Sequence, residues 1–556
     1  MSISHTWLAT VALLIVSAAP CVAADAAPNN TVYEAFVRTF AEGGDGNPSG
    51  DFKGLIKKLN YLNDGNAQTS GDLGIGILWL MPIFPAGSYH GYDVTDYRNV
   101  NPDFGTLSDF TQLLQQAHQR GIRVILDIPF NHTSAHHEWF KDAVQNGPHR
   151  PWYLMGPDDG QSARWWSTTV DADGNRIKYF SLFGSNMPDL DFDTTAVRDE
   201  VKAIAKFWLD RGVDGFRLDA AKHIYGWTDK PTEGDIQKNN AWWRSFSDFV
   251  YSIKPDAVLV GEVLGEERML IRHARGLNAL IDETFMKGAR AEIQHPHAGF
   301  LTHWKQVVQS ATAENPAHTY NSFTFLASHD QNPRLASELE QNTPATAVQR
   351  YRLGMCILMS ASRCPILYQG DELMQRGWKW NGNSPTDPKN PGDGSHIYDE
   401  TLREPVPWTA DDNGPADVKW QPPGHPGFLP KYDRPNDGVS FEEENADHHS
   451  VLSLVRALTN LRERFPAFAN GELGDVLSDT PDWLAFERVT GDQHFLVLVN
   501  PTPQANTYAL ADPQWRQSET LFWADGQSGA TGAGGQIQND VKVAAFGMML
   551  LRRAGR

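Results

Sequence analysis

The sequence predicts an α/β fold: a (β/α)8 TIM barrel with a small inserted domain after strand 3 and a C-terminal all-β sandwich domain. Three observations carry this. Eight short apolar runs alternate with helical patterns over most of the chain, which is the pattern of βαβ units and of a parallel sheet that eight strands can close. The segment between the third and fourth runs is too long for one helix. Beyond about Ala469 the pattern changes to short alternating runs, such as 484–488 and 495–500, and ends in 547–551.

The strand candidates are 32–37, 75–80, 122–128, 213–218, 257–261, 277–282, 323–327 and 365–368. Helical patterns such as 107–120 and 195–211 lie between them. The segment 132–193, rich in Trp, Gly, Asp and Pro, reads as a small domain over the barrel mouth. A polar loop, 377–445, follows the last strand, and a helix is expected over 450–464. The expected division is a leader over 1–24, a barrel over 25–131 and 194–465, the insert, and a β-module over 466–556. That module covers one side of the barrel or binds sugar.

Residues 8–19 are apolar, and Val22-Ala23-Ala24 offers small residues before a cut near Asp25. This reads as a secretory signal whose positive charge comes from the α-amine, because no Lys or Arg precedes the apolar run. Cys21 follows Pro20, which fits lipoprotein processing poorly. The run is too short to span a bilayer, so the expectation is a secreted or periplasmic protein with no membrane attachment after cleavage. Only Cys356 and Cys364 then remain. An oxidising compartment permits a disulfide between them, but spacing does not establish one.

Three carboxylates end three of the apolar runs: Asp219 in Gly215-Phe216-Arg217-Leu218-Asp219, Glu262 after Val258-Leu259-Val260-Gly261, and Asp330 after Ser328-His329. Acidic residues are depleted from strands and costly to bury, so three of them suggest one pocket at the mouth of a parallel barrel. A carboxylate cluster beside an arginine is the equipment for cleaving a glycosidic bond. Each residue alone also has a plain structural use, Asp219 in a strand-end ion pair with Arg217 and the other two as helix caps. The net charge of −20 disfavours nucleic acid and anionic membranes as partners, and a neutral substrate does not feel it. The 18 Trp and 15 Tyr supply flat faces for sugar rings, although most are assigned to packing.

With these residues in view, the chain resembles the α-amylase superfamily, glycoside hydrolase family 13. Asp127-Ile128-Pro129-Phe130-Asn131-His132 looks like the family's first conserved region, and Gly215 to His223 like the second. Glu262 after its strand is similar to the third region and Ser328-His329-Asp330 to the fourth. Met187-Pro188-Asp189-Leu190-Asp191, Tyr89-His90-Gly91-Tyr92 and Gly370-Asp371-Glu372 match further segments. Ser328 departs from the family's usual Asn. The stretch 43–51 resembles a metal-binding loop of some members in degenerate form.

The resemblance implies a retaining mechanism, with Asp219 as nucleophile, Glu262 as general acid and base, and Asp330 as transition-state stabiliser. Arg217, two residues before Asp219, faces the same way on a strand and is expected to lower its pKa. Asp219 and Asp330 are expected to raise that of Glu262. His90, His132 and His329 are expected on sugar hydroxyls, Tyr92 stacked on the same ring, and Arg334 on Asp330 or sugar. Lys222-His223 resembles a pair that lines the leaving-group side in α-amylases. A structural calcium is implied on Asn131, Asp189 and the carbonyl of His223, from oxygens that suit a hard cation. His136-His137-Glu138 lacks the order of a zinc motif.

The reading is an endo-acting α-amylase on an α-1,4-glucan or maltooligosaccharide, expected as a monomer. The alternatives are an α-glucosidase or oligo-1,6-glucosidase, a transglycosylase, and a non-catalytic glucan-binding relative.

Overall fold

Eight parallel strands close into a barrel: β1 (Val32–Ala35), β2 (Ile77–Leu80), β3 (Arg123–Ile128), β4 (Gly215–Leu218), β5 (Val258–Gly261), β6 (Ala279–Asp282), β7 (Asn321–Thr324) and β8 (Cys364–Tyr368). Each pairs with its neighbours in chain order, and β1 pairs with β8 to shut the ring. The computed structural model describes residues 29–553 apart from 45, 158–163, 227–230, 317, 382–396, 421–434, 492, 536 and 538–539. The expected leader, 1–24, lies outside the described residues.

The apolar runs overshoot the strands. Ile75, Val213 and Leu277 were counted as strand but lie in the approach to it, buried all the same. The seventh strand starts at Asn321, two residues before its apolar run, and leaves the ladder before Phe325. Hydrophobicity reports burial, and burial extends past the paired residues.

Alternation along each strand decides what enters the barrel. Val32, Ile77, Trp79, Ile125, Val260, Ile281, Phe323 and Ile366 form the apolar interior. Two residues on from Val32, Ile125 and Val260 come Glu34, Asp127 and Glu262, at the C-terminal ends of their strands. The same parity puts Arg217 and Asp219 on the inner side of β4. Gly215 is required there, because a Cβ would lie 1.9 Å from the carbonyl oxygen of Val258 on β5.

Between β3 and β4, the insert carries a helix (Glu138–Val144) and a three-stranded antiparallel sheet of Met155–Pro157, Trp166–Val170 and Arg176–Phe180, the last in the middle. His132 and Asp189 form an antiparallel bridge at its base, so the segment returns to the point it left.

After the helix Val451–Arg464, capped by Ser450, the chain builds a six-stranded antiparallel sheet and a separate pair of strands, Asn506–Ala509 and Asp540–Val543. On Trp483–Thr490, Leu484 and Phe486 join the main core while Trp483 and Ala485 pack with Val541 and Val543 on the other face. Arg488, on the same strand, is buried and donates to the carbonyls of Ala361, Ala467, Phe468 and Gly471. It ties the end of the barrel helix Ala347–Ala361 to the β-module. Burial without a carboxylate partner pulls its pKa down to about 9. Cys356 and Cys364 are buried free thiols, so the disulfide left open by the sequence is not formed. Among the described residues no helix is long and apolar enough to cross a membrane.

Arg488→Met would leave those carbonyls without their donor. The expected cost is about 3–5 kcal/mol, seen as a lower urea midpoint. An unchanged midpoint would show that the arginine does not join the two parts.

Candidate active site

Arg217 sits at the centre of the barrel mouth, 2% exposed in its side chain. Nη1 donates to Asp127 Oδ1 at 2.8 Å and to Asp219 Oδ1 at 2.6 Å, and Nη2 lies 2.9 Å from Glu262 Oε1. One guanidinium therefore holds three carboxylates. The other oxygen of Asp127 accepts from Trp79 Nε1 and the Tyr92 hydroxyl. Glu262 Oε2 accepts the backbone N–H of Ala220 at 2.9 Å. Ala220 reaches it by adopting a left-handed conformation directly after Asp219, a kind of strain that accumulates at functional sites.

Asp330 faces this group from the loop after β7. His329 Nε2 approaches it at 2.9 Å and Arg403 Nη2 at 3.0 Å. The Nδ1 of His329 donates to Glu34, so the imidazole lies between two carboxylates. The Tyr92 hydroxyl is 2.7 Å from His329 Nε2, and the two rings stack at 5.7 Å. Ser328 accepts the Asp330 N–H, a local use for the residue that departs from the family. A cavity of about 230 Å³ is lined by Glu34, Arg217, Glu262, His329 and Asp330.

The electrostatics differ across the cavity. Asp219 and Glu262 are only 12% and 16% exposed. Burial pushes both carboxyls up, with Arg217 opposing; the negative charges of Asp219 and Asp330 add to the rise at Glu262. The sequence expectation that Arg217 sets Asp219 low is therefore corrected: desolvation outweighs it, and the guanidinium is shared with two other acids. Loss of solvation also works against the Asp330 anion, but His329 and Arg403 outweigh it and hold that carboxyl well below the usual range. Burial disfavours the His329 cation, yet Asp330 and Glu34 lift its pKa to about 10.

The remaining expected residues fall around this centre. His132 is buried; its Nδ1 faces Asn131, and its Nε2 has no partner among the described residues. Burial lowers it to about 4, so it is a neutral ring. His90 accepts the Tyr92 N–H. Lys222 Nζ bonds the carbonyl of Leu264, just past Glu262, and His223 follows on the same short turn. Arg334 is a correction. It is 1% exposed, with its guanidinium on Asp371 and the Gln369 carbonyl, and it belongs to the core. Arg403, from the loop after β8, takes the place on Asp330 that was expected of it.

A family model described as "Alpha amylase, catalytic domain" matches residues 34–471. The chain belongs to the α-amylase family. It is thus an enzyme of the glycoside hydrolases and transferases that act on α-glucans. It is 33% identical to alpha-amylase 3 of Dictyoglomus thermophilum over 86% of each chain. A 4-alpha-glucanotransferase of Thermotoga maritima is 29% identical over 84% of this α-amylase-family chain and 93% of its own. The crystal structure of the alpha-amylase from H. orenii superposes with a TM-score of 0.77 at 31% identity, covering 95% of this chain and all of that one. Other relatives carry the names oligo-1,6-glucosidase and trehalose synthase.

The expected calcium ligands meet at the base of the insert. Asn131 Nδ2 donates to the His223 carbonyl at 2.8 Å, and its side chain also bonds Asp189. Asp189 is 3% exposed, and burial lifts its carboxyl to about 7. A buried carboxylate, an amide and a carbonyl within one hydrogen-bonded chain are the hard oxygens that calcium prefers, so the donor set fits. In the loop 43–51, by contrast, Asp51 is spent as the N-cap of the helix Phe52–Lys57, and Lys57 bonds the Gly43 carbonyl. Asp45 lies outside the described residues.

Glu34→Gln keeps the shape of the site but removes one of the two charges that sustain the His329 cation. His329 should then lose its proton at lower pH, so the titration of its imidazole, followed by NMR, moves down by about one pH unit or more. A titration identical to the parent's would remove Glu34 from the site.

Proposed function

We propose that the chain is a secreted, endo-acting α-amylase that cleaves α-1,4-glucosidic bonds with retention. The single observation that carries the chemistry is Arg217 holding Asp219 and Glu262 together, with Asp330 across the cavity. Retaining enzymes need their two carboxyls only about 5–5.5 Å apart, and a shared guanidinium suits that spacing. Asp219 attacks the anomeric carbon. Glu262, kept protonated by burial and its anionic neighbours, gives its proton to the leaving oxygen. Water then enters, Glu262 takes a proton from it, the water oxygen bonds to the anomeric carbon, and the glycosyl–Asp219 bond breaks. Asp330, held ionised, binds ring hydroxyls and offsets the oxocarbenium charge.

Lys222 and His223, beside Glu262 on the leaving-group side, favour endo action, and the most identical of the relatives described carries the α-amylase name. Transfer to a sugar hydroxyl is a second reading, supported by the glucanotransferase relative. Calcium on Asn131, Asp189 and the His223 carbonyl would tie the insert to the turn after β4, as a structural ion. The apolar N-terminal run supports export.

Asp219→Asn should lower turnover of soluble starch by on the order of 10³-fold or more while the protein still binds glucan. Hydrolysis retained in that variant would refute the nucleophile. For the parent, early internal shortening of a long α-1,4 chain is expected. Release of single glucoses, or cleavage of isomaltose, would favour the exo or 1,6 reading, and products longer than the substrate would favour transfer.

A chelator should lower the melting temperature and calcium should restore it, while Asp189→Ala should melt low and ignore both. A melting temperature indifferent to chelator and calcium would remove the ion.

A further inference from the structure

Glu262 is followed by a short loop, 263–266, that joins the end of β5 to the helix Glu267–His273. Val263 enters the main core and Leu264 packs on the barrel interior, so both side chains are taken up by packing. The backbone is fixed through a single peptide unit, the one between Leu264 and Gly265. Its carbonyl accepts from Lys222 Nζ at 2.6 Å, and its N–H donates to Glu283 Oε2 at 2.7 Å. A cation and an anion thus grip opposite ends of one planar dipole, two residues beyond Glu262. Gly265 continues with φ 123°, a conformation that other residues rarely adopt, so the grip sits where the chain turns.

The two gripping side chains come from different parts of the barrel. Lys222 stands on the short turn after β4, beyond Asp219. Glu283 opens the helix Glu283–Gln294 directly after β6. Its place is set by its neighbour Asp282, a buried carboxylate that accepts from the Phe285 N–H, Trp304 Nε1 and the Ser322 hydroxyl. Lys287, one turn on, lies 3.1 Å from the other Glu283 oxygen. Glu283 also lines the catalytic cavity, together with Glu262 and Leu264, yet it belongs neither to the catalytic trio nor to the acids held by Arg217. Burial works against the Lys222 cation, and the carboxylates of Glu262 and Glu283 both work for it.

We propose that Glu283 is a positioning residue for the reaction: by holding the 264–265 peptide against Lys222, it fixes the end of β5 and aims the Glu262 carboxyl at the leaving oxygen. Arg217 and the Ala220 N–H hold that carboxyl from the β4 side, and the gripped peptide constrains the strand end from the other. A catalytic group displaced by about 1 Å can lose about 10²-fold in rate, so a backbone anchor two residues away is close enough to matter. The inference rests on the reading of Glu262 as general acid.

The test uses the dependence of proton donation on the leaving group. A basic oxygen needs the proton in order to depart, and the anion of an acidic phenol does not. Full-length variants are assayed by phenol release from aryl α-maltotriosides that share a ring shape and differ in phenol acidity. The readout is kcat/KM, which reports the first bond cleavage. Glu283→Ala should lower it by about tenfold or more for the phenyl compound and by less than about twofold for the 2,4-dinitrophenyl compound. Glu283→Gln, whose amide oxygen can still accept the Gly265 N–H, should retain most of the activity on both. Gly265→Ala disturbs the same peptide without touching Glu283 and should show the same tilt, so the test survives if Glu283→Ala does not fold. Equal loss across the series, or no loss, would overturn the positioning role, because a general loss of structure or of a sugar contact does not follow phenol acidity. Glu262→Gln is the reference: a flat series in that variant would overturn the general-acid reading, and the positioning role with it.

Discussion

Everything at the barrel mouth depends on one buried cation. Asp127, Asp219 and Glu262 converge on Arg217 in a space that water barely enters. Three carboxylates in such a medium would repel and take up protons, and only a paired cation makes ionisation there tolerable. Arg217 also fixes their positions, because a planar guanidinium has a rigid set of donors. Its own place is set by the fold: strand parity turns it inward, and Gly215 two residues earlier lets β4 lie against β5. The barrel thereby stores a geometry that no local segment could hold.

The two sides of the cavity divide the labour. Glu34, Asp127, Asp219, Glu262 and Asp330 outnumber Arg217, His329 and Arg403 around the cavity. Burial and anionic neighbours raise the Glu262 carboxyl, which suits a proton donor, whereas two cations hold Asp330 low, which suits a standing anion. Environments that push paired carboxyls apart are what assigns acid and base roles. The surplus negative charge also favours a sugar that becomes positive in its transition state.

Much of this was legible in the sequence, for a physical reason. Barrel strands are buried on both faces, so they announce themselves as apolar runs, and an acid at the end of such a run stands out. Asp219, Glu262 and Asp330 were found that way. Asp127 and Glu34 carried a weaker form of the same signal, an acid two residues after an inward apolar position, which parity alone could have exposed. Arg403 carried none. It comes from a polar loop in which an arginine is unremarkable, and only the closed tertiary structure brings it to Asp330. Arg334 was misplaced because nearness in sequence stood in for nearness in space; its backbone leaves Asp330 behind and its side chain enters the core.

The insert gives the site its remaining constraint. Its ends meet at the His132–Asp189 bridge, so the histidine expected on the sugar and the acid expected on calcium belong to one small unit of backbone. Asn131 joins that unit to the carbonyl of His223, four residues past Asp219. A displacement of the insert must therefore move His132 and the turn after β4 together. The distance between the reacting carbon and any sugar bound against the insert is then set by the same hydrogen bonds that hold the catalytic strand. Under the endo-acting reading that coupling has a direct use, because binding energy from distant sugars can act at the bond being broken only through a rigid path.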